Sequence, residues 1–555
     1  MGYLLKTATN LAIGSCVALC AFAAPEIQLG NTTFIGRAVG PGVDFFGGIP
    51  FAAPPIGALR FQSPLLKKSH NYSRFDATDY GKACLQPPVV PDLADTSEDC
   101  LTVNVHRPET ENPGERLPVL LWVYGGGFLI GGARVYNGSE IVAHSIRRGT
   151  PIIYVNFNYR LGPLGYPRGN EAHQKRRLNL ALEDIHAALK WVYANIHAFG
   201  GDKHKITIFG ESAGGMNIGI LLLNRQFERL VRGAIFQSGQ ASGPPAFKAS
   251  ERESIWQDFV RSVPSCATVA SSGNTFGCLQ NVSETEMASA YMSYFGADPF
   301  SVPWDPILDH GRGGLLPDFA STIYKDGSFA KIPFISGTNL DEGTIFAGAA
   351  RSPNFTQTDL KDFLIATSSP PISDIPEEAL EESVDKLLKL YPDTPALGSP
   401  YGTGDELFGL PSIYKRTASI LGDLIFDAPR RQWMEAAADN GVTGYGYLFT
   451  QPQPQESPES GVPHGAEIPF VYGNTLDMSP SAVRLKEMMM DYWISFAVSL
   501  DPNDDKGSKR PIWPRYTKSN RGLLHLNGND MKIVEDDFRK HQLRFLMSNS
   551  LAFRR

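Results

Sequence analysis

Residues 205–215 read KITIFGESAGG, a β-branched apolar run followed by a serine between small residues. The run predicts a strand, and the apolar stretch at residues 216–223 predicts a helix directly after the serine. A G-x-S-x-G motif at such a junction is typical of a nucleophile elbow, because the turn is so tight that side chains at the glycine positions would clash. Because glycine and serine are abundant in this chain, the motif alone is weak evidence, and the predicted strand before it and helix after it make it informative. Ser212 is the candidate nucleophile, and a structural serine in a Gly-rich turn is the alternative.

The chain around this motif alternates short apolar runs with helical patterns, which predicts an α/β fold with a large, mostly parallel sheet flanked by helices. Strands are expected at residues 118–124, 152–157, 205–209, 233–237, 333–336 and 445–449, and helices at residues 180–196 and 216–223. Residues 118–124 (PVLLWVY) are almost continuously apolar, as is typical of a strand covered on both faces. The regions near residues 265–330 and 355–420 are rich in Pro, Gly and Ser, and we interpret them as insertions into one domain.

A second glycine-rich turn, GGGF at residues 125–128, follows the predicted strand at residues 118–124. Acyl transfer needs N–H donors aimed at the oxygen on which negative charge develops, and glycines let the backbone approach a substrate closely. Gly126 and Gly127, with the N–H of Ala213 after the nucleophile, are therefore the candidate oxyanion hole. A strand-end turn without a catalytic role is the alternative interpretation.

The acid and the base should follow the serine in that order along the chain. Residues 337–343 (GTNLDEG) follow the predicted strand at residues 333–336, at a strand end where α/β sheets carry function. Spacing does not choose between Asp341 and Glu342 as the acid. His464, framed by Gly and Pro in GVPHGAE, is the candidate base, and a solvated loop histidine is the alternative.

The first 23 residues have the pattern of a signal peptide: a lone Lys6, an apolar run at about residues 11–22, and small residues at Ala21 and Ala23. We expect cleavage after Ala23 and one mature domain at residues 24–555. A membrane anchor, the alternative, needs a longer apolar run. Five sites fit the N-glycosylation pattern and support a secreted protein without an integral membrane anchor. They are Asn31, Asn71, Asn137, Asn281 and Asn354.

Two of the six cysteines, Cys16 and Cys20, lie in the predicted signal peptide. In an oxidising compartment the four others favour two disulfides, and close spacing pairs Cys84 with Cys100 and Cys266 with Cys278, with four free thiols as the alternative. The formal net charge of −7 gives no basic field, so nucleic acid is not an expected partner. We expect no metal and no cofactor, and the oligomeric state is left open.

Several ordered segments together resemble the type-B carboxylesterase/lipase family, which includes secreted fungal carboxylesterases and lipases. They are SEDCLTVNV (97–105), GGGF (125–128), NFNYRLGPLGY (156–166), AFGGD (198–202), GESAGG (210–215), GTNLDEG (337–343) and GVPHGAEIPFVYG (461–473). The resemblance runs from about residue 27 to 545 and implies one domain of the α/β-hydrolase fold and a serine carboxylic ester hydrolase. It also implies Glu342 as the acid, Ser238 as a supporting donor to Glu342, His464 as the base, and the two disulfide pairs.

The family resemblance also bears on the substrate, a small-molecule ester. The segment between Cys84 and Cys100 has no aromatic residue to hold a choline cation, and it is short for an interfacial lid. An esterase is therefore favoured, with an interfacial triacylglycerol lipase second and a catalytically silent adhesion or binding protein third. Tyr124 departs from the family, since many members carry His there. Candidates to line the acyl pocket, or else ordinary core aromatics, are Phe128, Phe295, Phe300 and Trp304. An unshifted histidine pKa predicts rate loss below about pH 6.5.

Overall fold

An eleven-stranded sheet forms the centre of the computed structural model, which describes residues 24–109, 116–297, 304–309, 314–368 and 375–555, without the side chains of 294–297 and 368. The predicted signal peptide, the Phe295 side chain and Phe300 lie outside the described residues. The strands of this sheet, numbered in chain order, are β1 Arg37–Gly40, β2 Val43–Pro50, β3 Thr102–Pro108, β4 Leu117–Val123, β5 Ile153–Phe157, β6 Gly201–Glu211, β7 Gly233–Gln237, β8 Phe334–Asn339, β9 Gly444–Phe449, β10 Gly522–Leu526 and β11 Lys532–Glu535.

The strands lie in the order β11-β10-β9-β8-β7-β6-β4-β5-β3-β2-β1. Strands β4 to β10 pair in parallel with one another, and the antiparallel pairs (β5 with β3, β3 with β2, β2 with β1, and β10 with β11) lie towards the two edges of this sheet. Every residue of β4 and β5 is buried, as is typical of strands covered on both faces of a sheet. The mostly parallel sheet expected from the sequence is thus confirmed. Because parallel strands end at the same edge, the turns after β4, β6 and β8 meet there.

Helices pack on both faces of the sheet and also occur in the segments near residues 265–330 and 355–420. They are α1 Ser139–Arg147, α2 Gly162–Gly165, α3 Gly169–Gln174, α4 Leu180–Asn195, α5 Ala213–Leu222, α6 Glu253–Ser262, α7 Phe276–Leu279, α8 Glu284–Ala297, α9 Ala320–Asp326, α10 Gln357–Ser368, α11 Glu377–Leu390, α12 Ile413–Gly422, α13 Ala428–Asp439, α14 Ile468–Val471, α15 Pro480–Ser499 and α16 Lys540–Ser548. A short π-helix, Asp423–Asp427, joins α12 to α13. None of the helices within the described residues is long and apolar enough to cross a bilayer.

Smaller sheets flank the central one. Glu26–Leu29, Thr32–Ile35 and Arg74–Asp76 form a three-stranded sheet, Ala83–Cys84 pairs with Thr96–Ser97, and Phe247–Lys248 pairs with Ile307–Leu308. Disulfides join Cys84 to Cys100 and Cys266 to Cys278, the two pairs that the spacing predicted. Trp304 packs edge-on against Trp256 and Phe259 and is 1% exposed, so of its two interpretations the structure favours a core aromatic.

Candidate active site

The turn from β6 into α5 holds Ser212 in a backbone conformation that non-glycine residues rarely adopt, with φ 54° and ψ −130°. Such a conformation costs on the order of 1–3 kcal/mol and persists only where the surroundings impose it. The surroundings of Ser212 impose this conformation because the backbone is tightly packed on both sides of the serine. A Cβ on Gly210 would lie 2.6 Å from the Val123 carbonyl oxygen, and a Cβ on Gly214 would lie only 2.1 Å from the same oxygen. Helix α5 therefore begins directly against the end of β4, and the glycines of the motif permit that approach.

The glycine turn after β4 passes against Ser212, since a Cβ on Gly125 would lie 2.8 Å from the Ser212 Cβ. Gly126 and Gly127 have φ values of 110° and 61°, which favour glycine. Within the described residues, the amides of Gly126, Gly127 and Ala213 donate no hydrogen bond to another protein group. The turn and the first residue of α5 therefore offer three unused N–H groups beside Ser212.

A chain of hydrogen bonds connects Ser238, Glu342 and His464. Glu342 Oε2 lies 2.6 Å from His464 Nδ1, and Glu342 Oε1 accepts bonds from Ser238 Oγ at 2.5 Å and from the Asn339 amide at 2.7 Å. Glu342 is 1% exposed, so these donors replace the water that its charge has lost. The carboxylate therefore orients the imidazole with its Nδ1–H toward Glu342 and its Nε2 free to accept a proton.

The neighbouring carboxylate, Asp341, has a different environment. Its Oδ1 accepts hydrogen bonds from Ser399 Oγ and the Tyr401 amide at 2.8 Å each, and its Oδ2 accepts one from the Val462 amide at 3.0 Å. Asp341 thus joins two loops to the end of β8 and has no hydrogen bond to His464. Of the two acids that the spacing left open, Glu342 is the one that contacts the imidazole.

The other ring nitrogen of His464, Nε2, is buried without a hydrogen-bond partner. It lies 3.1 Å from Glu211 Oε1, but the alignment is too poor for a hydrogen bond. Among the described side chains, Ser212 and His464 are likewise not joined by a hydrogen bond. The Phe426 ring, 4.4 Å from the imidazole between centroids, and the Phe346 ring, at 5.3 Å, restrict its movement.

Two further buried carboxylates, Glu211 and Glu467, lie in this region. Glu467 accepts hydrogen bonds from Asn339 Nδ2 at 2.7 Å and Gln237 Nε2 at 3.1 Å. Sequence reasoning missed both, because Glu211 occupies a variable position of the elbow motif and no motif marks Glu467 as part of the site. Their only sequence signals were adjacency to Ser212 and position three residues after His464.

These carboxylates change the titration of the imidazole. Burial alone lowers the pKa of His464, but the charges of Glu211 and Glu342 outweigh burial and raise that pKa above 6.5 to about 9. Burial raises the pKa of Glu211 to about 8 although nearby His464 opposes the shift, so the two groups titrate as a pair. The rate loss predicted below about pH 6.5 assumed an unshifted histidine pKa; with the raised pKa of His464, a rate loss governed by this residue is expected at higher pH.

Tyr124, at the position where the family often has His, is fully buried and stacks on Tyr159 at 4.4 Å between centroids. The Tyr159 hydroxyl donates to the Tyr124 carbonyl at 2.7 Å. Phe128 is 3% exposed and packs edge-on against Tyr166. These contacts fix the start of the glycine turn.

The predicted glycosylation sites lie on the protein surface. The side chains of the five sequon asparagines are exposed: Asn31, Asn71, Asn137, Asn281 and Asn354. The described residues contain no group of three or more His, Cys, Asp or Glu side chains arranged to hold a metal ion.

The parallel sheet, the strained serine between β6 and α5 and the acid–histidine pair at the same sheet edge define an α/β-hydrolase. The crystal structure of Aspergillus niger EstA has this fold: it superposes with a TM-score of 0.81 at 28% identity, covering 96% of this chain and 99% of that one. The fold predicted from the sequence is thus confirmed.

Sequence comparison identifies the family. The model of the carboxylesterase family matches residues 24–546. Lipase 1 of Geotrichum candidum is 34% identical over 564 residues, covering 93% of this chain and 94% of the relative. A secreted triacylglycerol lipase of Gibberella zeae is 31% identical over 557 residues, covering 95% and 90%. The chain belongs to the carboxylesterase family and is a carboxylic ester hydrolase, as the resemblance implied.

Proposed function

We propose that the protein is a secreted serine esterase that forms an acyl-enzyme on Ser212, with Glu342 and His464 as acid and base. The observation that carries the proposal is the Ser238–Glu342–His464 hydrogen-bond chain, which leaves Nε2 of the imidazole without a hydrogen bond beside the strained elbow. A buried nitrogen without a partner is costly in a merely structural histidine. It is what a general base needs before substrate arrives.

The proposed reaction has two halves. His464 Nε2 takes the proton of Ser212 Oγ as Oγ attacks the ester carbonyl carbon, and the amides of Gly126, Gly127 and Ala213 stabilise the oxyanion. The tetrahedral intermediate collapses, His464 returns the proton to the leaving alcohol, and an acyl-enzyme remains. Water then attacks the acyl carbon as His464 takes its proton, and His464 returns that proton to Ser212 Oγ as the acid is released. Glu342 stabilises the imidazolium in both halves.

Soluble or medium-chain esters are the proposed substrates because the first disulfide loop is short and fixed. Leu93 in this loop is 3% exposed and lies against Gly132, whereas Val89 is 52% exposed at the surface. The second candidate is an interfacial lipase, favoured by the names of the fungal relatives. A catalytically silent binding protein would have no need of the nucleophile, acid, base and glycines that this chain retains together.

Rates on p-nitrophenyl esters from acetate to palmitate, with Ser212→Ala as the control, test the proposal. An esterase is fastest on short and medium chains and gains nothing when tributyrin exceeds its solubility. A lipase prefers long chains and accelerates at the emulsion. Activity that survives Ser212→Ala would remove the mechanism, and no activity on any ester would favour the silent binding protein.

We also propose export through a signal peptide at residues 1–23, followed by N-glycosylation at exposed asparagines. The secreted fungal relative supports export, and the exposure of Asn31, Asn71, Asn137, Asn281 and Asn354 makes each accessible to the glycosylation machinery. Expression of the full chain in a fungal host tests both. The medium should contain a protein that begins at Ala24 and loses mass on treatment with an endoglycosidase; retention in the cell or no mass change would refute export or glycosylation, respectively.

A further inference from the structure

The glycine turn at residues 125–131 has few bonds of its own. Within it, the amides of Leu129 and Ile130 each donate to the Gly126 carbonyl at 3.1 Å. Gly126, Gly127 and Gly131 have positive φ values, and glycine backbone is the least restricted of any residue. Donors to an oxyanion must be fixed in advance to be effective, so the position of this turn depends on contacts from other segments.

One such contact comes from Gln86, two residues after Cys84. Its side-chain Nε2 donates to the Gly131 carbonyl at 2.7 Å, and its Oε1 accepts from the Gly131 amide at 2.8 Å. Nε2 also donates to the Cys84 carbonyl at 3.0 Å, and the side chain is 6% exposed. The side-chain amide of Gln86 thus pairs with both the N–H and the carbonyl of Gly131, as a neighbouring strand would, and it fixes the end of the turn.

A second contact comes from Tyr291 on α8. Its hydroxyl donates to the Leu129 carbonyl at 2.9 Å, and the residue is 1% exposed. It reaches the turn because Gly162 has no side chain: a Cβ there would lie 2.1 Å from the Tyr291 hydroxyl. The Gly162 amide itself donates to the Phe128 carbonyl at 2.8 Å, so two successive carbonyls of the turn are fixed from the same side.

The segments that carry Gln86 and Tyr291 are themselves joined by Arg60. This buried guanidinium makes two hydrogen bonds to Glu98 in the first disulfide loop, at 2.6 and 2.5 Å. It also donates to the carbonyls of Leu279 and Val282, just before α8, at 2.5 and 2.7 Å. The two contacts with the turn therefore come from one connected support.

We propose that Gln86 and Tyr291 are positioning residues that hold the glycine turn so that its amides point at the oxyanion. This inference rests on the proposed role of the turn in catalysis. Neither side chain needs to touch the substrate, since each binds backbone groups of the turn other than the proposed donors, the amides of Gly126 and Gly127. Loosening either contact should therefore weaken binding of the transition state and leave binding of the ester ground state nearly unchanged.

The test compares Tyr291→Phe and Gln86→Met with Tyr492→Phe. Tyr492 is the matched control, because it is equally buried and its hydroxyl donates to the Pro511 carbonyl at 2.6 Å, in a region outside the site. Turnover is measured per active site titrated with a phosphonate, together with KM and the affinity for a trifluoromethyl ketone that forms a tetrahedral adduct. Removing an oxyanion donor outright costs about a hundredfold or more, so displacement should lower kcat about tenfold.

Support for the proposal is a fall in kcat at near-constant KM in both variants, an equal loss of affinity for the trifluoromethyl ketone, and no change in Tyr492→Phe. Wild-type turnover per titrated site overturns it, even if the melting temperature falls, because the role is then only structural. If one variant does not fold, the other decides. The Ser212→Ala variant distinguishes failure of this inference from failure of the proposed function. Activity that survives in Ser212→Ala refutes the proposed function. If Ser212→Ala is inactive but Gln86→Met and Tyr291→Phe have wild-type turnover, only this inference is refuted.

Discussion

Replacing Glu342 by Gln removes one charge with little change in shape, and the structure determines how the new amide must lie. Glu342 Oε1 accepts two hydrogen bonds, and one of them comes from the backbone N–H of Asn339, which can only donate. The amide oxygen of Gln must therefore occupy that side, which turns its NH2 toward His464 Nδ1. The imidazole then has to accept at Nδ1 and carry its proton on Nε2, where it cannot take the proton of Ser212.

We expect this tautomer change to lower kcat about 10⁴-fold, equivalent to about 5.4 kcal/mol in activation free energy, with KM close to wild type. The melting temperature should change little, because the amide keeps the packing and its hydrogen bonds. The assay is hydrolysis of p-nitrophenyl butyrate by titrated enzyme, with circular dichroism to follow unfolding.

Asp341→Asn is the control for Glu342→Gln. Asp341 accepts three hydrogen bonds from loop groups, including the amides of Tyr401 and Val462, so an NH2 in its place must face a donor. An unsatisfied buried donor costs about 1–3 kcal/mol, and this loss should appear in the free energy of unfolding, with a much smaller loss of kcat. If Asp341→Asn loses as much kcat as Glu342→Gln, or more, the assignment of the acid is wrong.

Three further changes test other parts of the site. Ser238→Ala removes one hydrogen bond to the buried acid and should lower kcat about tenfold, since bonds to charged groups contribute about 1.5–3 kcal/mol; an unchanged kcat would contradict a supporting role. Glu211→Gln removes a carboxylate that raises the pKa of His464. Because the base must be neutral to act, the acidic limb of the kcat/KM profile should move to lower pH. A limb that stays in place or moves to higher pH would contradict the coupling of Glu211 to His464. The double variant Cys84→Ala with Cys100→Ala opens a loop of 16-residue separation and should lower the free energy of unfolding in urea by about 3 kcal/mol, whereas no loss would mean that other contacts alone fix the loop.

The elements that could be predicted from the sequence are those whose signal is local. The elbow is one: an apolar strand, two glycines and an apolar helix stand next to each other in the chain, and the structure has β6, Ser212 and α5 there. The strand at residues 233–237 has the predicted bounds because its run is bounded by polar residues. Strand β6 starts at Gly201, earlier than predicted, because its first residues are partly exposed and lack the apolar pattern.

What could not be predicted depends on which distant segments meet. Nothing in the residues near Asp341 and Glu342 says which of them faces the imidazole; the turn after β8 decides it. Glu211 lies on β6, far along the chain from His464, and its approach to the imidazole alters the pH profile that an isolated histidine predicts. Such pairings follow from the order of strands in the sheet, which has no local signature.

The central claim is that the hydroxyl of Ser212 becomes covalently acylated during turnover, and trapping that intermediate tests it most directly. The enzyme is mixed with a p-nitrophenyl ester, quenched in acid within the burst phase, digested and analysed by mass spectrometry. We predict one acyl group per molecule, on the peptide containing Ser212, and none in Ser212→Ala. An acyl group on another residue, or full turnover with no acylated species at any quench time, would contradict the account.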